Sequence, residues 1–153
     1  MFRGINGVNI DAKGRIVMPT RYRNRLQAES SGRLVMTIDT DERCLLLYPI
    51  QAWERIENKL AELPSFNPQA RRIQRLLIGH ATEIELDNNG RILLPPLLRE
   101  YAGLKKQAML VGQGKKFELW DEKHWQESRG KWLTEEAVVD SDLLPDEVKS
   151  LSL

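Results

Sequence analysis

The chain has a single cysteine, Cys44, in 153 residues, and only two histidines, His80 and His124. One cysteine forms no intramolecular disulfide and no cysteine-rich zinc site, which excludes stapled secreted scaffolds and zinc fingers. Neither histidine stands in a metal-ligand spacing, so no metal is expected. Long apolar runs are missing. The longest, Leu45–Tyr48 and Ile92–Leu98, fall well short of the roughly 20 residues that cross a bilayer. Met1 to Gly7 hold no apolar stretch of signal-peptide length, so a cytoplasmic protein is expected, with no membrane partner. HExxH, GxSxG and Cys–His signatures are all absent, and no enzyme, cofactor or small-molecule substrate is expected. An excess of one charge is missing too, with 23 basic residues against 22 acidic ones.

That balance hides a polarity along the chain. Residues 1–25 carry six basic side chains and one acid, and residues 134–153 carry six acids and one lysine. Such a split leaves two readings open, a local anionic partner for the basic end or two solvated surfaces. The acidic end, with Pro145 and few aromatics, reads as a tail.

A repeat organises the rest. Asp11, Gly14, Arg15, Pro19 and Arg23 return as Asp87, Gly90, Arg91, Pro95 and Arg99, each 76 positions on. Tyr48 and Trp53 return as Trp120 and Trp125, 72 positions on. Two copies are too few for a solenoid and read as a pseudo-twofold pair that shares a core. In each copy, alternating apolar residues flank Asp-x-x-Gly, which predicts a β-hairpin. Pro19 and Pro95 then start short helices, about 19–26 and 95–102. A second strand pair follows, 34–38 with 44–48 in one copy and 108–111 with 117–120 in the other. Gly112–Lys116 resembles a phosphate loop only faintly. It lacks the full spacing and lies between strands, so it reads as a hairpin turn. Helices are predicted over about 50–63 and, from an Asn67 cap to Gly79, over 68–78. A last helix starts near Asp121. The fold class is therefore α+β. His80, at an element boundary, reads as a hydrogen-bonding structural histidine, and Cys44 as a buried small residue.

The remaining candidate site is the Asp-x-x-Gly-Arg turn. Asp and Gly suffice for a tight turn; the arginine is surplus to turn chemistry, yet follows the glycine in both copies. A turn-anchored guanidinium offers a rigid fork of donors suited to a guanine edge or a phosphate. Arg15 is the stronger candidate, with Lys13, Asp11 and Gly14 of its turn and Arg3 and Arg21 nearby in sequence. Arg91 and Asp87 are the second-copy equivalents, in more acidic surroundings, and the alternative for Arg91 is a structural pairing with an acid. Arg71, Arg72 and Arg75 form another basic group, which reads more simply as a solvated helix face.

These motifs are similar to those of the MraZ family of bacterial transcriptional regulators, and the resemblance covers nearly the whole chain. Arg72, Gln74, Arg75, Leu76, Leu77, Gly79 and His80 resemble that family's linking helix; Leu46–Pro49 and Phe117–Asp121 resemble its strand ends. The resemblance implies two AbrB-like swapped-hairpin β repeats forming a pseudo-dimeric barrel. Repeat one would span 5–52, linking helices 53–79, repeat two 80–124, and a C-terminal helix and acidic tail 125–153. It also implies a nucleoid-associated, ring-shaped homo-oligomer that binds double-stranded promoter DNA. Its implied role is to repress the division and cell-wall gene cluster, including its own promoter. The alternative is an oligomeric protein-interaction module whose arginines bind an acidic partner.

Overall fold

The computed structural model describes residues 1–134 and 145–151. Two compact units result, Met1–Glu122 and Lys123–Leu153. The first runs β1 (Phe2–Asn9), β2 (Arg15–Val17), α1 (Thr20–Ser30), β3 (Arg33–Ile38), β4 (Leu45–Pro49) and α2 (Ile50–Ala61). Then α3 (Pro68–Ile73) passes into a π-helical turn, Gln74–Ile78, followed by β5 (Thr82–Glu85), β6 (Arg91–Leu93), α4 (Pro96–Tyr101), β7 (Gln107–Gly114) and β8 (Phe117–Asp121). Helix α5 (Glu122–Thr134) starts at the boundary, and α6 (Asp146–Lys149) belongs to the second unit. Within that unit Trp125 meets Trp132 edge-on, with ring centroids 5.8 Å apart. Most of the expected acidic tail, residues 135–144, lies outside the described residues.

The strand pairing departs from the local expectation. No two-stranded ladder forms across either Asp-x-x-Gly turn. Instead β1 pairs with β7, β2 with β6, and β5 with β3, all antiparallel, so every one of these ladders joins one repeat to the other. The large sheet has the order β1-β7-β8-β4-β3-β5. Read from either end, it passes through corresponding strands of the two copies. The reason is one of lengths. A three-residue strand beside a tight turn buries too little by itself, whereas β2 against β6 closes over a common interior. Ile16, Met18, Leu34, Met36, Leu45 and Leu47 from the first copy share one core with Ile92, Leu94, Leu98, Leu110, Phe117 and Leu119 from the second.

A smaller core lies on the other face of β3 and β4, where Val35, Leu46, Tyr48, Ile50 and Trp53 pack with Ile56, Leu60 and Leu77. Helix α2 follows the predicted 53, 56, 60 spacing. Asn67 caps α3, its Oδ1 accepting from the N–H groups of Gln69 at 2.9 Å and Ala70 at 3.2 Å. The predicted helix over 68–78 changes pitch halfway. Gly79 N–H reaches back five residues to the Gln74 carbonyl at 3.2 Å. A Cβ at Gly79 would run into the Arg75 carbonyl, so this wide turn requires glycine. The turn also frees acceptors. Thr37, fully buried, donates its hydroxyl to the Leu77 carbonyl at 2.7 Å, and His80 Nδ1 lies 2.7 Å from the Leu76 carbonyl. His80 is thus structural, as its position suggests. Gly112–Lys116 forms a hairpin turn between β7 and β8, closed by Gln113 N–H on the Lys116 carbonyl at 2.9 Å. Burial, with Glu118 and Asp39 adding to it, pushes the Cys44 thiol far above its ordinary pKa.

Candidate nucleic-acid interface

The two Asp-x-x-Gly-Arg turns are near copies in three dimensions. In the first, Asp11 Oδ1 accepts from the N–H groups of Lys13 and Arg15, each at 2.9 Å. In the second, Asp87 Oδ1 accepts from Asn89 at 2.8 Å and Arg91 at 2.9 Å. Gly14 and Gly90 stand at φ of +82° and +73°, the left-handed region in which glycine is favoured. These bonds, led by the backbone N–H of Arg15 or Arg91, hold both carboxyls below the ordinary aspartate pKa.

The arginine proves to be part of the turn. Arg15 Nε donates to Asp11 Oδ2 at 2.8 Å, and Arg91 Nε to Asp87 Oδ2 at 2.9 Å. The expectation that turn chemistry leaves this residue free is therefore corrected for Arg15, whereas Arg91 pairs with an acid, as its alternative reading has it. One edge of each guanidinium is tied to an aspartate, which sets its plane. Among the described residues, no other acceptor meets either guanidinium. The side chains remain 25% and 29% exposed.

Strands β2 and β6 bring the two turns together. Arg15 faces Leu93 and Val17 faces Arg91 across the ladder. Ile16 and Ile92 point into the core, so Arg15, Val17, Arg91 and Leu93 share the outward face. The two arginines occupy diagonal corners, about 7–8 Å apart at the backbone. Val17 and Leu93, 48% and 56% exposed, lie between them. The result is a small ribbon with an apolar centre and a cation at each of two corners.

Each turn is braced by the opposite repeat. Leu94 N–H donates to the Gly14 carbonyl at 2.9 Å, and Met18 N–H to the Gly90 carbonyl at 2.8 Å. Arg99 packs over Gly14, where a Cβ would lie 2.6 Å from its Nη1, and Arg23 packs over Gly90. Arg23 Nε donates to the Met18 carbonyl at 2.6 Å, whereas Arg99 Nε is buried with no acceptor among the described residues. Sequence reasoning left this pair out of the site, although their spacing of 76 was the available signal.

The basic N-terminal stretch does not converge on the first turn. Lys13 stays there. Arg23 goes to the other copy's turn. Arg21 donates from Nη2 to Asn6 Oδ1 and to the Tyr22 hydroxyl, both at 2.9 Å. Arg3 sits six residues before the end of β1, about 20 Å from the turn along an extended strand. Arg25 lies over the Phe2 ring, 4.3 Å from its centroid. Arg3 and Arg21 are thus remote from, or tied away from, the Arg15 turn. In the second copy Glu83 and Glu85 precede the turn, where the first copy has Gly7 and Asn9, and Asn89 replaces Lys13.

Comparisons with known proteins agree with these motifs. The family described as "MraZ protein, putative antitoxin-like" matches residues 1–76 and again residues 77–137. Among similar proteins, one from Coxiella burnetii, strain RSA 493, is 61% identical over 153 residues, the whole of both chains. One from Legionella pneumophila, strain Paris, is 58% identical, and one from Halorhodospira halophila 56% identical, again over the full length of both chains. All three are named "Transcriptional regulator MraZ". The repeated turn, its duplicated match and this full-length likeness place the chain in the MraZ family.

Proposed function

We propose that the protein is a sequence-specific DNA-binding transcriptional regulator. In this reading it represses the division and cell-wall gene cluster, its own promoter included, from the cytoplasm and nucleoid. The observation that carries the proposal is the β2–β6 ribbon with its two aspartate-locked arginines. A two-stranded ribbon fits the major groove, and an oriented guanidinium pairs with guanine O6 and N7. Such a contact discriminates by about 1–3 kcal/mol per base. Val17 and Leu93 offer apolar contact to thymine methyl groups. Because Asp11 and Asp87 fix each guanidinium beforehand, little ordering entropy is lost on binding. Lys13 adds a phosphate contact in the first turn only.

One ribbon per chain is a small interface, and the chain's net charge is +1. A ring-shaped homo-oligomer multiplies it, and linked weak contacts gain avidity without new chemistry. Head-to-tail rings suit tandem DNA repeats better than palindromes. The ladders that join the two repeats support an AbrB-like, swapped-hairpin, pseudo-dimeric barrel, with repeats over 5–52 and 80–124 linked by 53–79 and followed by 125–153. Gel-shift titration against tandem promoter repeats at two salt concentrations tests this reading. Arg15→Ala abolishes the specific shift and leaves oligomer size unchanged. Arg91→Ala loses less, since Glu83, Glu85 and Asn89 leave its turn less cationic. Full binding by Arg15→Ala would refute the turn as the reader.

A further inference from the structure

At the far end of β1 from the reading turns, two adjoining hollows share Ala52, Arg55 and Lys115 in their walls. The larger, about 380 Å³, is lined also by Met1, Phe2, Arg25, Glu29 and the start of α2. The smaller, about 180 Å³, adds Tyr48, Ile56 and Lys59. Four cations and one carboxylate thus face a single surface depression. Glu29 is committed to Arg25, with contacts of 3.1 and 3.2 Å to its Nε. Among the described residues Arg55, Lys59 and Lys115, which line these hollows, have no ion-pair partner.

The sequence makes no effort to neutralise them. Helix α2 separates its charges by flank. Arg55 and Lys59 line these hollows, whereas Glu54 and Glu57 line a different one with Arg33 and Glu83. Opposite charges four apart on one flank would have cost nothing and stabilised the helix. Helix α2 also begins after Pro49 with no side-chain cap and no acid in its first turn. Its free N–H groups and dipole add positive potential at Gln51 and Ala52, on the cavity wall. Gly114 and Lys115, at the β7–β8 hairpin tip, also line the larger hollow.

We infer that this depression binds a polyphosphate group, free or carried by a nucleotide, at a site separate from the DNA-reading ribbon. Arg25, Arg55, Lys59 and Lys115 would hold the anion, and Met1, Phe2 and Ala52 would leave apolar room beside it. The inference does not rest on the DNA reading, since the two surfaces share no residue. Isothermal titration of the full chain with sodium tripolyphosphate, and in parallel with ATP without magnesium, tests it. Saturable binding of one anion per chain is expected, weakening with added salt. Arg55→Gln and Lys115→Gln, both on surface side chains, should each weaken it by about tenfold or more. Equal affinities for the two probes would assign recognition to the phosphates alone, and tighter ATP binding would place the nucleoside on the apolar wall. Arg15→Ala should leave both titrations unchanged while abolishing the promoter shift, which separates this inference from the proposed function. No saturable binding, equal weakening by Arg15→Ala, or a change of assembly size in place of affinity in the Gln variants would overturn it.

Discussion

Replacing Gly14 with alanine tests whether the opposite repeat holds the reading turn. Two costs are expected. A left-handed φ of +82° costs an L-residue about 1–2 kcal/mol. The new methyl would also lie 2.6 Å from Arg99 Nη1, so the guanidinium, whose Nε is buried, must shift over the turn. Gly103 supplies an internal control. Its φ is +63°, but no atom of the described residues lies within 4 Å of a Cβ built there. Gly103→Ala should therefore register the backbone cost alone. Gly14→Ala should exceed it by about 1 kcal/mol, a displaced packing contact in a tight site. Urea unfolding of both variants gives the comparison. Adding Arg99→Ala to Gly14→Ala should recover most of the excess, as a coupling of about 0.5–1.5 kcal/mol in a double-mutant cycle. Gly14→Ala should also weaken the promoter shift, because a displaced Arg99 no longer braces the Arg15 turn. Equal destabilisation at the two glycines, with no coupling to Arg99, would refute the account of a cross-braced turn.

Three other outcomes follow from the geometry. Arg23→Ala should destabilise the fold by about 1–2 kcal/mol more than Arg99→Ala, because only Arg23 Nε has an acceptor, the Met18 carbonyl at 2.6 Å; thermal melts compare them. Ile16→Ala should cost about 2–5 kcal/mol and Val17→Ala under about 1 kcal/mol, since one side chain is fully buried and the other about half exposed. The depressed pKa values of Asp11 and Asp87 mean that the unfolded chain binds protons first as pH falls. Their stabilising contribution is complete above the unfolded value near 3.8 and disappears as pH drops through the folded values. Asp11→Asn should flatten the acid limb of a stability-against-pH curve, and an unchanged limb would contradict the assignment.

Much of this molecule was legible in its residues, but not the pairing of its strands. Turn chemistry at Asp11 and Asp87, the Asn67 cap and the apolar stripe of α2 are local effects, and each gave its element. A hairpin also looked local, yet β2 prefers β6, 76 positions away in the repeat. That choice depends on which partner closes a common core, and alternation within a strand does not carry that information. Arginine placement failed for a geometric reason. Arg21, Arg23 and Arg25 are close in sequence, but a step of two on a helix turns Arg23 away from the face that Arg21 and Arg25, four apart, share. Arg21 and Arg25 therefore meet β1, at Asn6 and Phe2, and Arg23 goes to Gly90. The aspartate lock on Arg15 and Arg91 was within reach of sequence reasoning, because the carboxylate and the guanidinium recur with the same four-residue spacing in both copies.

The four ladders that tie one repeat to the other, β1–β7, β2–β6, β3–β5 and β4–β8, have a consequence for cutting the chain. The connection between α2 and α3 passes through Phe66, 91% exposed, where a protease would find little resistance. A nick there severs the polypeptide but none of the hydrogen bonds that span the halves. The two fragments should stay together as a complementing pair, and neither should keep a working turn alone. Any lineage of such chains is then free to vary its halves only in concert.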